Sequence, residues 1–223
     1  MPILSEQHRY LFLLAPRTAS TAVAEALCSQ GAGRWVPEKN LYDRRGRIIL
    51  QKKHGTARDL LRFGLLTKND LANLTVFTAV RNPFDSLVSL YVKKRTSYQP
   101  LRERDDTFVN RIPRFSSDMD FVMDHSFSEW IDYRYRVPAR VPFLAIHMYR
   151  KYLRDADEIM RFETVEADLG RIADRLGVGV VNLTQKNVTQ ERRPAYRDYY
   201  TDRSRRIVQK IFRPDLERFH YKF

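Results

Sequence analysis

The chain has 223 residues, 43% of them hydrophobic and 12% aromatic, and it sets 40 Lys and Arg against 27 Asp and Glu for a formal charge of +13. That length can bury a full core and the hydrophobic content excludes a disordered or low-complexity protein, while the single cysteine, Cys28, excludes an internal disulfide framework and fits a reducing compartment, the cytoplasm. Charge interrupts the N-terminal "MPILSEQHRY" before any apolar core forms and no uncharged stretch is long enough for a bilayer, so neither a secretory leader nor a transmembrane segment is expected.

In chain order, "RYLFLLAP" (9–16) is apolar on successive residues, the pattern of a buried strand in a parallel sheet. "STAVAEALCSQG" (20–31) reads as a helix, with Val23 and Leu27 four apart, Cys28 in the core and Gly31 placed to end it. "RRGRIILQKK" (44–53) predicts a second strand, ending at the same sheet edge as the turn after the first. "HGTARDLLRFGLL" (54–66) starts a helix in which Thr56 and Asp59 form a capping-box variant, leaving His54 just outside the N-terminus.

"NLTVFTAVRNPFDSLVSLYVKK" (73–94) repeats strand, turn and helix, with Asn82 as N-cap, Pro83 as first helical residue and Phe84, Leu87, Val88 and Tyr91 as the buried stripe. Residues 95–125 lose this periodicity among Arg, Asp, Ser and Pro, and a segment that long is expected to be a functional loop or lid. "DEIMRFETV" (157–165) gives a further strand, "VEADLGRIADRLGV" (165–178) a helix closed by Gly177, and "DRSRRIVQKIFRPDLERF" (202–219) a last helix interrupted near Pro214. Alternating strands and helices predict one three-layer α/β domain over 1–223, its central, mostly parallel sheet flanked by helices, with an irregular insertion at about 95–150.

Two turns are candidates for chemistry. In "APRTASTA" (15–22), backbone N–H groups at a strand-to-helix turn, with hydroxyls and one cation, form an anion cradle. Ser20 and Thr21 are equally ordinary helix-start residues, so the turn alone leaves both readings open. It is neither a Walker A loop nor the glycine-rich turn of a dinucleotide site, which weakens an ATP-using kinase. In "VRNPFDSLVSLY" (80–91), Arg81 ends a strand, and Asp85, Ser89 and Lys93 share the helix face opposite the apolar stripe. A salt-bridged Arg81 and a solvated Ser89 are the bland alternatives. Both turns follow strand C-terminal ends, where open α/β sheets bind ligands.

Together "PRTAST" (16–21) and "RNPFDSLVSLY" (81–91) resemble the cytosol-type and carbohydrate sulfotransferase superfamily, whose members use 3′-phosphoadenosine-5′-phosphosulfate (PAPS). "KHGTARDL" (53–60), "RFETVEADL" (161–169) and the blocks 186–200 and 215–223 extend the resemblance from residue 12 to the end, most thinly over 95–150. It implies a P-loop-like sulfotransferase fold in which Arg17, Thr18, Ala19, Ser20 and Thr21 cradle the 5′-phosphosulfate. Arg81 and Ser89 would hold the 3′-phosphate, with a contact from Lys186. Arg17 would also stabilise charge growing on the leaving phosphate. Two departures stand out: Ala19 replaces the usual loop glycine, and Arg17 the commoner lysine.

The family also needs a group to take the acceptor's proton, and His54 is the leading candidate, an imidazole that accepts protons near neutral pH. An ordinary surface or capping histidine is the alternative, with Glu38 as fallback base. The other histidines show no metal-ligand spacing, and the scheme needs no metal. The implied reaction moves a sulfuryl group from PAPS to a hydroxyl, with a carbohydrate or glycoconjugate as the favoured acceptor. Lys93, Lys94, Arg95, Arg102, Arg104, Arg111 and Arg114 fit an anionic saccharide or glycolipid headgroup, or equally a merely soluble loop. The basic charge admits peripheral contact with a membrane. A P-loop-type nucleotide kinase and a basic nucleic-acid-binding module are the rival readings; the second lacks any helix-turn-helix, zinc-finger or RNP-like motif.

Overall fold

The computed structural model describes residues 2–46, 48–50, 52–103, 107–111, 113–141, 143–183 and 195–223, with only the backbone for Phe108, Arg111, Pro113 and Arg114. In chain order these form β1 (Ile3–Ser5), β2 (Tyr10–Leu13), α1 (Ser20–Ser29), β3 (Arg34–Trp35), β4 (Leu41–Tyr42), β5 (Ile48–Leu50), α2 (Ala57–Arg62), α3 (Lys68–Ala72) and β6 (Thr75–Val80). There follow α4 (Pro83–Arg95), α5 (Gln99–Arg102), α6 (Phe108–Arg111), α7 (Pro113–Asp124), α8 (Phe127–Arg140), α9 (Arg150–Leu153), β7 (Glu158–Arg161), α10 (Val165–Arg175), α11 (Asp202–Ile211) and α12 (Arg213–Arg218). Two compact units result: Met1–Arg81 with Tyr149–Val188, and Asn82–Met148 with Thr189–Phe223.

The first unit holds a five-stranded sheet in the order β3-β1-β2-β6-β7. β2, β6 and β7 pair in parallel, and β1 runs antiparallel between β2 and β3, so β1 alone opposes the common direction. The architecture is therefore α/β with a central, mostly parallel sheet. Alternate residues Tyr10, Phe12 and Leu14 share a core with Phe77, Ala79, Met160, Val23 and Leu27 of α1, and Leu169 and Ile172 of α10. Phe12 stacks on Phe77 with ring centroids 4.9 Å apart. Burying one such ring contributes about 1.5–3 kcal/mol. Gly33 is required by close approach, since a Cβ there would sit 2.6 Å from Ile3 and 2.7 Å from the Tyr10 hydroxyl. Gly31 and Gly177 follow α1 and α10 at φ 70° and 65°, the left-handed exits expected of them. Cys28 lies at the margin of the core, only partly buried, and burial pushes its thiol up.

One expectation fails here. Among the described residues of 44–53, none joins the main sheet: Ile48–Leu50 is extended and pairs with β4 in a separate antiparallel sheet. Ile49 is 45% exposed while Leu50 is buried, so this is a one-faced strand rather than a two-faced core strand. The Thr56–Asp59 capping box does form, starting α2 at Ala57.

The second unit is helical, and the irregular segment expected at 95–150 is instead largely α5 to α8. Its periodicity escapes notice because polar residues occupy core positions. Asp118 of α7 is 4% exposed and Lys94 of α4 is 1% exposed. The Asp118 carboxylate accepts from Lys94 Nζ, from Trp130 Nε1 at 2.7 Å and from Arg134 Nη1 at 2.8 Å. α8 starts at a reciprocal Ser126–Glu129 capping box and buries Phe127, Trp130 and Ile131. Lys94 is thereby removed from any acceptor-facing set, and Arg102 is engaged by Asp120 at 2.9 Å. Arg104 and the side chains of Arg111 and Arg114 lie outside the described residues. α4 has Asn82 as N-cap, its side chain accepting from the Phe84 N–H at 3.1 Å, and α11 gives way to α12 around Phe212, with Pro214 in the new first turn.

Candidate functional site

Parallel register sets the site. Leu13 pairs with Thr78 and Val80 with Arg161, so β2, β6 and β7 all end at one edge of the sheet. The chain leaving β2 makes a tight polar turn before α1. The Ala15 carbonyl accepts from the Thr18 hydroxyl at 2.9 Å and from the Ser20 hydroxyl at 2.7 Å. Each hydroxyl has one hydrogen, so both are spent bracing the turn. Among the described residues no hydrogen bond of the Thr21 hydroxyl is seen.

Backbone shape does the rest. Arg17 (φ 69°) and Ala19 (φ 58°) are both left-handed, flanking Thr18. A left-handed non-glycine residue costs about 1–2 kcal/mol, and alternating handedness turns successive N–H groups to one side, the geometry of an anion nest. Ala19 is the N-cap of α1 and offers no side-chain acceptor. Of the first-turn N–H groups, that of Ala22 donates to the Ala19 carbonyl at 2.9 Å, and the Ala19 side chain offers no acceptor to those of Ser20 and Thr21. Ala19 thus adopts the conformation that its departure from glycine demanded.

Arg81 follows β6 directly and is only 4% exposed. Its Nη1 donates to the Arg17 carbonyl at 3.1 Å, and its guanidinium carbon lies 3.8 Å from the centroid of the Phe162 ring. No local sequence signal marks Phe162 as a site residue; strand pairing brings it there. Val80 pairs with Arg161, so the next residue on each strand, Arg81 and Phe162, must be neighbours. A flat cation on an aromatic face contributes up to about 2 kcal/mol when desolvated and fixes its plane.

His54 comes to the same turn by a route different from the one expected. It sits between β5 and the cap of α2, and its Nδ1 lies 3.3 Å from the Leu14 carbonyl oxygen. A carbonyl can only accept, so Nδ1 carries the hydrogen and Nε2 is left as the basic nitrogen. Burial pulls this imidazole from 6.5 down to about 4, with Lys53 and Lys151 adding to the effect and the Leu14 carbonyl opposing it. The ring is neutral at pH 7.

Arg17, Thr18, Ala19, Ser20, His54 and Arg81 are thus joined through the turn, with Phe162 beneath Arg81. Glu38 is exposed on the connection between β3 and β4, with no hydrogen bond or ion pair seen among the described residues. Ser89, in the helical unit, is 3% exposed, so the solvated-face reading of that position is corrected. Lys186 lies outside the described residues. Among those residues there is no group of three or more His, Cys, Asp or Glu able to hold a metal, and no helix long and apolar enough to cross a membrane.

Compared with known proteins, residues 2–222 match the family model described as "Sulfotransferase family". No curated protein and no solved structure matches.

Proposed function

The chain belongs to the sulfotransferase family, and from that premise we propose that it transfers a sulfuryl group from PAPS to an acceptor hydroxyl, in the cytoplasm. The observation that carries this reading is the turn after β2: two left-handed residues, a buried Arg81 fixed on the Arg17 carbonyl, and a neutral His54 fixed on the Leu14 carbonyl. PAPS would supply an activated sulfuryl group. The N–H groups of residues 17–21 and the Arg17 guanidinium suit its 5′ end, because they set fixed donors where charge collects on the leaving phosphate oxygen. Thr18 and Ser20 serve by shaping the turn and lending their N–H groups, since their hydroxyl hydrogens are spent on Ala15.

Arg81 is assigned to the 3′-phosphate. Stacking on Phe162 holds its plane, and a guanidinium is always charged and presents a planar fork that matches phosphate oxygens. Ser89 and Lys186 keep the 3′-phosphate role by resemblance alone. His54 is the general base: Nε2 takes the hydroxyl proton as the acceptor oxygen bonds to sulfur and the bond from sulfur to phosphate oxygen breaks. An anion in the turn raises the affinity of that imidazole for a proton, which brings a base of pKa about 4 nearer the working range. A carbohydrate or glycoconjugate hydroxyl is the proposed acceptor class, on the resemblance and the charge of +13.

Calorimetry with PAPS, adenosine 3′,5′-bisphosphate, AMP and ATP tests the donor assignment. The first two should bind, and removing the 3′-phosphate should cost most of the affinity. Equal affinity for AMP and the bisphosphate would overturn the role of Arg81 and with it the PAPS reading.

A further inference from the structure

Eight large hydrophobic side chains stand exposed among the described residues, and five of them, Tyr133, Val137, Val141, Phe143 and Leu144, fall between positions 133 and 144. Tyr133, Val137 and Val141 are four apart, one stripe along the C-terminal half of α8 and its cap. The first half of the same helix turns Phe127, Trp130 and Ile131 into the core, so α8 has a buried side and a bare apolar end. Phe143 is the extreme case: it is 101% exposed and its φ is 59°. A bulky residue in the left-handed region is an outlier, and here the strain holds an aromatic ring in water with no core contact to offset it.

Charge says what such a surface would meet. Arg136 and Arg140, one helical turn apart, are exposed beside the stripe, and no Asp or Glu occurs from residue 133 to 147. An apolar tip flanked by arginines, of which Arg136 also meets Asp132 at 3.5 Å, carries an excess of positive charge that repels a second copy of itself, and it matches a surface that is apolar inside and anionic outside. We propose that the end of α8 and the following turn dock this protein on an anionic lipid bilayer, with Phe143 and Leu144 entering the headgroup–acyl boundary, Tyr133 at the interface, and Arg136 and Arg140 on lipid phosphates. This rests on the helical unit alone and is independent of the donor assignment.

The test is co-sedimentation with vesicles of phosphatidylcholine alone and of phosphatidylcholine with about one third phosphatidylserine. The wild type is expected to bind the anionic vesicles and not the neutral ones, more weakly as salt rises. Arg136→Gln with Arg140→Gln should weaken binding roughly fivefold per arginine. Phe143→Ser with Leu144→Ser should weaken it at least about tenfold, with an unchanged thermal transition because both side chains are exposed. If the serine variant binds as tightly as the wild type, the attraction is that of a basic protein for any anionic surface, and the proposal fails. It fails equally if the wild type sediments with neither vesicle, or if light scattering shows a dimer that the serine variant dissolves, which would make this face a protein interface.

Discussion

His54 gives the sharpest quantitative consequence. Unfolded, its imidazole titrates near 6.5; folded, near 4. Between those values the unfolded chain holds a proton that the folded one excludes, so folding stability rises with pH across that window. The contribution is complete above about 6.5 and is lost as the pH falls toward 4. At about 1.4 kcal/mol per unit, the shift corresponds to something on the order of 3 kcal/mol. Carboxylates titrate in the same range, so the measurement is a comparison. Urea unfolding of wild type and His54→Gln at pH 7.5 and 4.5 (roughly the ends of the window) should show the wild type losing more stability, because glutamine can donate to the Leu14 carbonyl without titrating. The same shift places the acid limb of kcat/KM, which reports the free enzyme, near 4 rather than 6.5. Parallel loss of stability in the two proteins, or an acid limb near 6.5, would refute the half-buried, neutral His54 on which the general-base assignment stands.

Arg81→Ala should weaken adenosine 3′,5′-bisphosphate by roughly 1.5–3 kcal/mol in calorimetry, the range for a hydrogen bond to a charged group, while barely changing affinity for AMP. Asp118→Ala leaves Lys94 buried and Arg134 without its counter-charge; urea unfolding should show a loss of roughly 3–5 kcal/mol, and a change below 1 kcal/mol (about the worth of a surface pair) would mean the cluster is hydrated. Ala19→Gly removes the left-handed penalty at φ 58° but loosens the unfolded chain, for a net gain of about 1 kcal/mol and about 2–4 °C in Tm. A lower Tm would show that the Ala19 methyl contributes packing that outweighs its backbone cost.

Much of the site was legible in the chain itself because it rests on local rules. The apolar run into β2, the hydroxyl turn into α1, Asn82 and Pro83 opening α4, and the Thr56–Asp59 box are each decided by residues within a few positions of one another, so composition and spacing determine them. Other features depended on partners distant in sequence. β5 left the main sheet because only one of its faces is buried, which a run of three apolar residues does not disclose. The stretch 95–150 hid its helices because Lys94 and Asp118, a polar pair in any sequence pattern, face inward against Trp130 and Arg134. Phe162 beneath Arg81, and His54 on the Leu14 carbonyl 40 residues away, exist only once the strands have paired and the chain has folded back. The sequence alone thus determined which residues could meet an anion. Tertiary structure decided which of them share the turn, because burial and register are properties of neighbours that the chain brings together only when folded.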